Sequence, residues 1–314
     1  MSDILAITFP IYAAIAIGYL VVARGWFAPG DLKVLGKYVM DIAMPALLFH
    51  AVASRQVSEV LRPDYMLIYA IGGVATIALS FGWFSMTAAD RPRRAVAVMG
   101  STCPNSGFIG YPMMLLLFPD LAGLILALNF LVEFVVIIPI CLVLMELAKD
   151  RTGQSLIRLI GQVLLGVLKR PMVIGLLLGL VASLLQLPMP APVSRLFQML
   201  AASASALSLL VIGGALVGLP LKGNWRMAVQ IAIGKLTLHP AMIALTAVAF
   251  TVIGGVTLPA DMQAALILSA AMPMFGIYTV LAQEQGLQGA ASIAALMATT
   301  GAFFTLSALL FVLT

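Results

Sequence analysis

Two short segments of this sequence place a glycine three residues after a proline, among side chains that can hold a ligand. The first reads Cys-Pro-Asn-Ser-Gly from Cys103 to Gly107, and the second reads Pro-Met-Phe-Gly from Pro273 to Gly276. Proline removes a backbone donor and clashes with the preceding helical turn, and a nearby glycine relaxes the backbone. Both segments therefore predict a helix that is interrupted in its middle.

An interrupted helix suits an anionic ligand, because the half-helix after the break begins with free N–H groups and a positive partial charge. Asn105 adds an amide that can donate to a carboxylate. Alternatively, Asn105 only caps the half-helix. The candidate substrate contacts in the two segments are Pro104, Asn105, Ser106, Gly107, Pro273, Met274 and Gly276.

Ionisable residues inside the apolar stretches form a second group of candidates, because a charge in hydrocarbon is costly and usually functional. Glu133, Asp41 and His239 are the candidate proton-coupling residues. Two structural alternatives stay open. Glu133 can form an ion pair with Lys235, and Asp41 can pair with Lys37 one turn earlier.

Lys235 and Asn129 complete the predicted substrate site. Asn129 precedes Glu133 by one turn, and Lys235 can supply positive charge to a bound anion. The alternative for Lys235 is that its long side chain reaches the membrane surface. His239 follows on the same helix face, and its alternative role is to satisfy carbonyl groups freed by Pro240.

Composition identifies the elements that position these residues. Of the 314 residues, 62% are hydrophobic and 9% are charged, and the mean hydropathy is +1.12. Soluble domains carry about 25% charged residues, and a helical span needs about 20 apolar ones. We therefore predict an all-α polytopic membrane protein. Its ten predicted transmembrane helices are 4–23, 34–53, 65–87, 94–117, 121–147, 171–187, 193–218, 227–253, 261–284 and 288–313.

The distribution of charge predicts orientation and internal repeats. The net charge of +5 is spread over short loops, which argues against a nucleic-acid partner. Basic residues concentrate after spans one, three, five and seven, so both termini are predicted outside a cell inner membrane. The hydrophilic break from Lys149 to Arg170 separates five spans from five. We therefore predict two inverted five-helix repeats, 1–150 and 151–314, with crossed broken helices 4 and 9.

Three further patterns concern packing. Apolar residues at helical spacing over 156–167 predict an amphipathic segment on the membrane, or alternatively a cytoplasmic extension of span six. The pairs Gly72-Gly73 and Gly213-Gly214 permit close helix approach, within the chain or in a homodimer. Neither Cys103 nor Cys141 has metal-ligand or disulfide spacing, so no metal is expected, and Cys141 is predicted to be a packing residue.

The run from Pro104 to Pro112 resembles the auxin efflux carrier family, whose fourth helix has a similar Pro-Asn, Gly and Pro pattern. The resemblance extends to Pro45, to the stretch from Pro273 to Glu284 and to the five-plus-five layout, so it covers essentially the whole chain. The short central loop resembles bacterial members, which include carriers for malonate and malate.

This resemblance implies a fold shared with bile acid sodium symporters. Spans one, two, six and seven would form a scaffold, and spans three to five and eight to ten would form a transport domain that moves against it. The resemblance also implies that Asn105 contacts the substrate. Met274 stands where the family often has a polar residue, which argues against a symmetric polar site.

These observations predict a secondary carrier that moves a small organic anion, a malonate-like mono- or dicarboxylate, by alternating access. Its partners are the substrate and the lipid bilayer, and no cofactor is expected. The coupling ion is H⁺ or Na⁺, and uniport stays open. Sodium would need oxygen ligands, for which the candidates are Asn105, Ser101, Thr102, Thr299 and Thr300.

Two rival functions remain at this stage. The first is a metalloid or other anion exporter on the same fold, in which the Cys103 thiol would be a ligand. The structural alternative for Cys103 is a small apolar residue that eases helix contact. The second is an intramembrane enzyme or receptor, which is disfavoured because the sequence has no paired-aspartate motif and no His-Glu-x-x-His motif.

Overall fold

The computed structural model describes residues 2–149 and 155–313. It is all-helical, with 82% of residues in helices, and within the described ranges the only β-type pairing is one isolated bridge. The predicted repeat boundary at 150/151 and both chain ends lie outside the described residues. The prediction of an all-α, multi-pass membrane protein is confirmed.

Six helical stretches of the described chain are long and apolar enough to cross a bilayer, and one bent pair, Leu156–Leu168 with Pro171–Leu184, could form a seventh span. Predicted spans two, four, six and nine are not among these six stretches. Spans four and nine are interrupted at their prolines, and span six is the 14-residue helix Pro171–Leu184. The six long stretches are Ile4–Ala23, Val57–Thr87, Ala122–Leu147, Ala191–Ala215, Trp225–Gly254 and Gln288–Leu313.

In the part of the chain that the structure describes, four π-helical turns interrupt the regular helices, and a proline follows each turn two residues later. The turns are Val39–Ala43, Ser106–Gly110, Glu133–Ile137 and Gly234–Leu238. A proline has no N–H for the carbonyl four residues earlier, and a π-turn reroutes the hydrogen bonds around that gap. Candidate residues lie in all four turns, and π-turns are frequent at functional sites.

The chain forms two compact units. The first consists of Met1–Pro63, Ser106–Phe130 and Leu168–Gly218. Its helices Ser2–Ala23 and Ala191–Ala215 approach so closely that a Cβ on Gly18 or Gly213 would overlap the facing backbone. Gly213 therefore packs within the chain. The other helices of this unit are Pro29–Tyr38, Met44–Ala53, Val57–Val60, Tyr111–Leu117, Pro171–Leu184 and most of Ala122–Val132.

The second unit consists of Asp64–Asn105, Leu131–Val167 and Leu219–Thr314. Its helices are Pro63–Thr87, Arg91–Thr102, Ile138–Leu147, Leu156–Leu168, Trp225–Ile233, His239–Gly254, Ala260–Ala271, Tyr278–Gln283 and Gln288–Leu313. Leu156–Leu168 is a separate helix that ends before Pro171, so it does not continue span six as one straight helix. It buries Leu159 and Val167 and exposes Ile157.

Candidate substrate and coupling site

The two proline segments interrupt their helices and pair with each other. Asn105 donates its backbone N–H to the carbonyl of Pro273 at 2.8 Å, and Phe275 donates to the carbonyl of Cys103 at 3.3 Å. Pro104 and Met274 face each other in an antiparallel bridge. The predicted interruptions of both helices are confirmed, and the breaks are in direct contact.

The residue before each proline ends its helix. Cys103 follows helix Arg91–Thr102 with ψ 110°, and Met272 follows helix Ala260–Ala271 with ψ 148°. Proline disfavours the helical conformation of the residue before it and favours an extended one. The extended segments on both sides are what allows the backbones to pair.

This pairing corrects one expectation about the anion site. The N–H groups of Asn105 and Phe275, which follow the two prolines, are used in the bridge and do not face a substrate. The half-helices also start later than the prolines, with the π-turn Ser106–Gly110 in one case and at Tyr278 in the other. Less of the positive helix end is therefore available than the sequence suggested.

The predicted substrate contacts differ in burial. Asn105 is 3% exposed, Met274 is 4% exposed and both prolines are buried, whereas Gly276 is exposed. The structure thus brings Pro104, Asn105, Pro273 and Met274 together in the second unit. Ser106, Gly107 and Asn129 are buried residues of the first unit, and their contact with substrate stays a prediction.

Glu133 lies in a buried polar cluster of the second unit. The Tyr69 hydroxyl donates to its Oε1 at 3.1 Å, and Glu133 is 2% exposed. Tyr65 lies one turn from Tyr69, with ring centroids 6.3 Å apart, and hydrogen-bonds to Ser269. Ser269 belongs to the helix that ends at the second interruption. The cluster therefore connects Glu133 to that helix.

Lys235 and His239 form a second buried polar group. The Lys235 ammonium lies 2.5 Å from the carbonyl of Ala270 and 2.8 Å from Nδ1 of His239, and both side chains are fully buried. The alternative that Lys235 reaches the membrane surface is wrong, because the ammonium is held inside the second unit. Its pairing with Glu133 stays a prediction.

Asp41 has different surroundings from Glu133. It lies in the π-turn Val39–Ala43 of the first unit and is exposed. An exposed carboxylate keeps its hydration where it contacts water, whereas a buried one depends on protein donors. Of the two predicted coupling carboxylates, Glu133 has the more specialised environment.

Sequence reasoning missed Tyr65, Tyr69, Ser269 and Tyr278. Tyr278 starts the half-helix after the second interruption and is 1% exposed, and its hydroxyl has no hydrogen-bond partner among the described residues. The ring packs on Gly100, where an added Cβ would lie 2.5 Å from the hydroxyl oxygen. Gly100 alone did not indicate this contact, because Tyr278 lies 178 positions further along the sequence.

Both cysteines are buried free thiols. Cys103 directly precedes the proline of the first interruption, and Cys141 lies in the helix Ile138–Leu147. Within residues 2–149 and 155–313, no group of three or more His, Cys, Asp or Glu residues could hold a metal ion.

Comparison with known proteins decides the family. A family model described as a membrane transport protein matches residues 4–312, almost the whole chain. The chain belongs to the auxin efflux carrier family. The family's members are named as transporters rather than enzymes, so the carrier is a membrane transporter and takes a small-molecule substrate.

Three relatives show how far this similarity reaches. The carrier is 28% identical to a Rhizobium meliloti protein named "Putative malonate transporter", over 100% of this chain and 97% of that protein. It is 24% identical to the Escherichia coli "Uncharacterized transporter YfdV", over 65% and 66%. It is 26% identical to "Auxin efflux carrier component 2" of Arabidopsis thaliana, over 44% of this chain and 21% of that protein.

Proposed function

We propose that this carrier moves a small organic anion, a malonate-like mono- or dicarboxylate, across the membrane by alternating access. The observation that carries the proposal is the paired interruption, which places the buried amide of Asn105 beside a break in the helix. An amide can donate to a carboxylate without introducing a charge into hydrocarbon. The full-length similarity to a protein named as a malonate transporter supports the substrate class.

The proposed architecture is ten spans in two inverted five-helix repeats, 1–150 and 151–314, in a cell inner membrane with both termini outside. Spans one, two, six and seven would be the scaffold, and spans three to five and eight to ten the transport domain. The first compact unit contains the four proposed scaffold spans and the second contains spans three, eight, nine and ten, which supports this division, whereas spans four and five are divided between the two units. A homodimer remains part of the proposal.

We further propose that Glu133 couples transport to protons. It is buried, and its Oε1 accepts a hydrogen bond from Tyr69. A carboxyl group that gains and loses a proton during each cycle needs a donor to stabilise its ionised form. His239 and Asp41 are the other proton-coupling candidates, and sodium coupling is the competing proposal.

The proposal is tested by uptake of radiolabelled malonate and acetate into proteoliposomes. We expect Asn105→Ala to lower the apparent affinity roughly 10- to 150-fold, the range for losing a hydrogen bond to a charged group. Gly82→Ala, where nothing lies within 4 Å of the added Cβ, is the control and should keep near-normal affinity. Equal uptake by the wild type and Asn105→Ala would refute the role of Asn105.

Coupling has its own measurement. A pH gradient should drive uptake by the wild type, and Glu133→Gln should exchange substrate across the membrane but no longer accumulate it against a gradient. The control replaces Na⁺ with K⁺ on both sides at constant pH. Accumulation that requires Na⁺ and ignores the pH gradient would contradict proton coupling.

A further inference from the structure

Lys235 contacts the end of the helix that precedes the second interruption. Its ammonium donates to the carbonyl of Ala270, the penultimate residue of helix Ala260–Ala271. Lys235 itself is the second residue of the π-turn Gly234–Leu238. It is a lysine with no exposed surface whose amino group faces a helix terminus.

The helix end at Ala271 lacks the donors that a continuous helix would supply. Pro273 has no N–H to give to the carbonyl four residues earlier, and Met272 turns the chain into an extended conformation. Met272 N–H satisfies the carbonyl of Ser269 at 3.3 Å. The carbonyl of Ala270 is satisfied by Lys235 instead of a backbone group. A cation at this position also offsets the negative partial charge of the helix end.

His239 fixes the direction of the ammonium. A protonated lysine has donors and no acceptor, so it requires Nδ1 of His239 to accept. The ring proton is then on Nε2, which is buried and has no hydrogen-bond partner among the described residues. The two residues are four apart, which places them on one face, and Nδ1 lies 2.8 Å from Nζ. The ring also lies beside Tyr69, with centroids 6.3 Å apart.

We propose that Lys235 is a positioning residue that holds the second interruption open by capping its preceding helix, with His239 orienting the ammonium. Lys235 then acts on transport through the backbone of Ala270 and not by contact with the substrate. This reassigns a residue that the sequence placed in the substrate site. The proposal rests on the chain being a transporter and not on malonate being its substrate.

The first measurement needs no substrate. In hydrogen–deuterium exchange in detergent, peptides covering residues 269–278 should exchange faster in Lys235→Met than in the wild type. Peptides covering residues 57–87 should keep wild-type exchange. Lys222→Met removes an exposed lysine of the same unit and serves as the control. Unchanged exchange at 269–278 in Lys235→Met would overturn the proposal whether or not malonate is transported.

The second measurement separates positioning from binding. In proteoliposomes, Lys235→Met should lower the maximal rate about tenfold, while the ratio of the KM values for malonate and acetate stays within about twofold of wild type. If Lys235 bound the substrate, the dianion would lose more affinity than the monoanion. A rise of about tenfold in that ratio with an unchanged maximal rate would overturn the proposal.

A pair of histidine variants covers the case in which Lys235→Met does not fold. Gln can accept from the ammonium as Nδ1 does, whereas Leu cannot. We expect His239→Gln to retain most of the exchange protection at 269–278, and His239→Leu to lose it. Equal protection in both variants would refute the orienting role of His239 and, with it, the proposed cap.

Discussion

The two interrupted helices share a proline, a later glycine and one hydrogen bond each in the central bridge, yet their surroundings differ. At the first, the carbonyl of Met99 accepts from Cys103 N–H, and a buried asparagine follows the proline. At the second, the Met272 N–H likewise donates to the carbonyl of Ser269, the carbonyl of Ala270 also accepts from a lysine side chain, and a methionine follows the proline. The first break therefore presents a polar side chain, and the second is held from outside by a cation.

This difference suggests a division of labour between two similar breaks. A half-helix end in hydrocarbon needs a partner for every orphan carbonyl, and the chain can supply that partner from the backbone or from a side chain. At the second break the Lys235 side chain supplies the partner of the Ala270 carbonyl, so this buried polar group serves the structure. At the first break the buried amide of Asn105 is the group proposed for ligand binding.

The largest expected effect tests whether the two breaks depend on each other through packing. Gly100→Ala would push a methyl group against the Tyr278 hydroxyl and Ile231, both in contact with the added Cβ. Overpacking a core usually costs about 1 to 3 kcal/mol. We expect the thermal midpoint in detergent to fall. Gly82→Ala, where nothing lies within 4 Å of the added Cβ, is the control and should be unchanged or slightly stabilised.

The next effect tests the contrast between the residues that follow the prolines. Met274→Leu keeps an apolar side chain of similar volume, so it should cost less than about 1.5 kcal/mol and preserve uptake. Asn105→Leu at the first break should abolish most uptake. Paired measurements of uptake and thermal midpoint would show whether the asymmetry is functional. Equal losses of uptake in the two variants would remove the contrast.

A double-mutant cycle tests the polar support of the second break. Tyr65→Phe and Ser269→Ala each remove one side of a buried hydrogen bond, which is worth about 1 kcal/mol net. Because they remove the same interaction, their effects on the free energy of unfolding should not add in the double variant. Additive losses would mean that Tyr65 and Ser269 act independently.

The smallest effect concerns a contact at the far end of the half-helix that starts at Tyr278. Lys149 bonds to Glu146 at 2.5 Å and to Glu284 at 3.2 Å. Burial on its own lowers the pKa of Lys149, but the hydrogen bonds and charges of the two glutamates outweigh it and raise the pKa above the usual value. Lys149→Met should cost no more than about 1 kcal/mol, because the group is near the surface.

The raised pKa of Lys149 determines how its contribution to stability changes with pH. The contribution of Lys149 is complete below the unfolded pKa of about 10.4 and disappears as the pH rises through the higher folded value. The difference in thermal midpoint between the wild type and Lys149→Met should therefore shrink above about pH 10.5. A difference that grows with pH in this window would contradict the assignment.

Much of the fold follows from local sequence. The prolines at 104 and 273 predicted both interruptions, and apolar length predicted the six long apolar stretches of the described chain. The π-turns were predictable in principle, since each precedes a proline by two residues. Three residues of these turns, Asp41, Glu133 and Lys235, were predicted as functional because ionisable residues are rare in apolar stretches.

The remaining features depend on contacts between distant segments. The direction of the Lys235 side chain is set by a carbonyl 35 residues away. The local sequence is therefore equally compatible with a lysine side chain that reaches the membrane surface. The backbone N–H groups of Asn105 and Phe275 are used in the bridge because of how the two extended segments align. That alignment cannot be read from either segment alone. Tyr65 and Tyr69 looked like ordinary apolar residues until their partners Ser269 and Glu133 were placed.

The bridge between the breaks also cannot grow into a sheet. Extending it would require Pro273 to donate to Asn105, but proline has no N–H, and Cys103 N–H is committed to the carbonyl of Met99. Exposed strand edges recruit further strands and drive aggregation, and open edges do not occur in lipid. The same prolines that create extended chain at this depth thus stop it from acting as a template for misassembly.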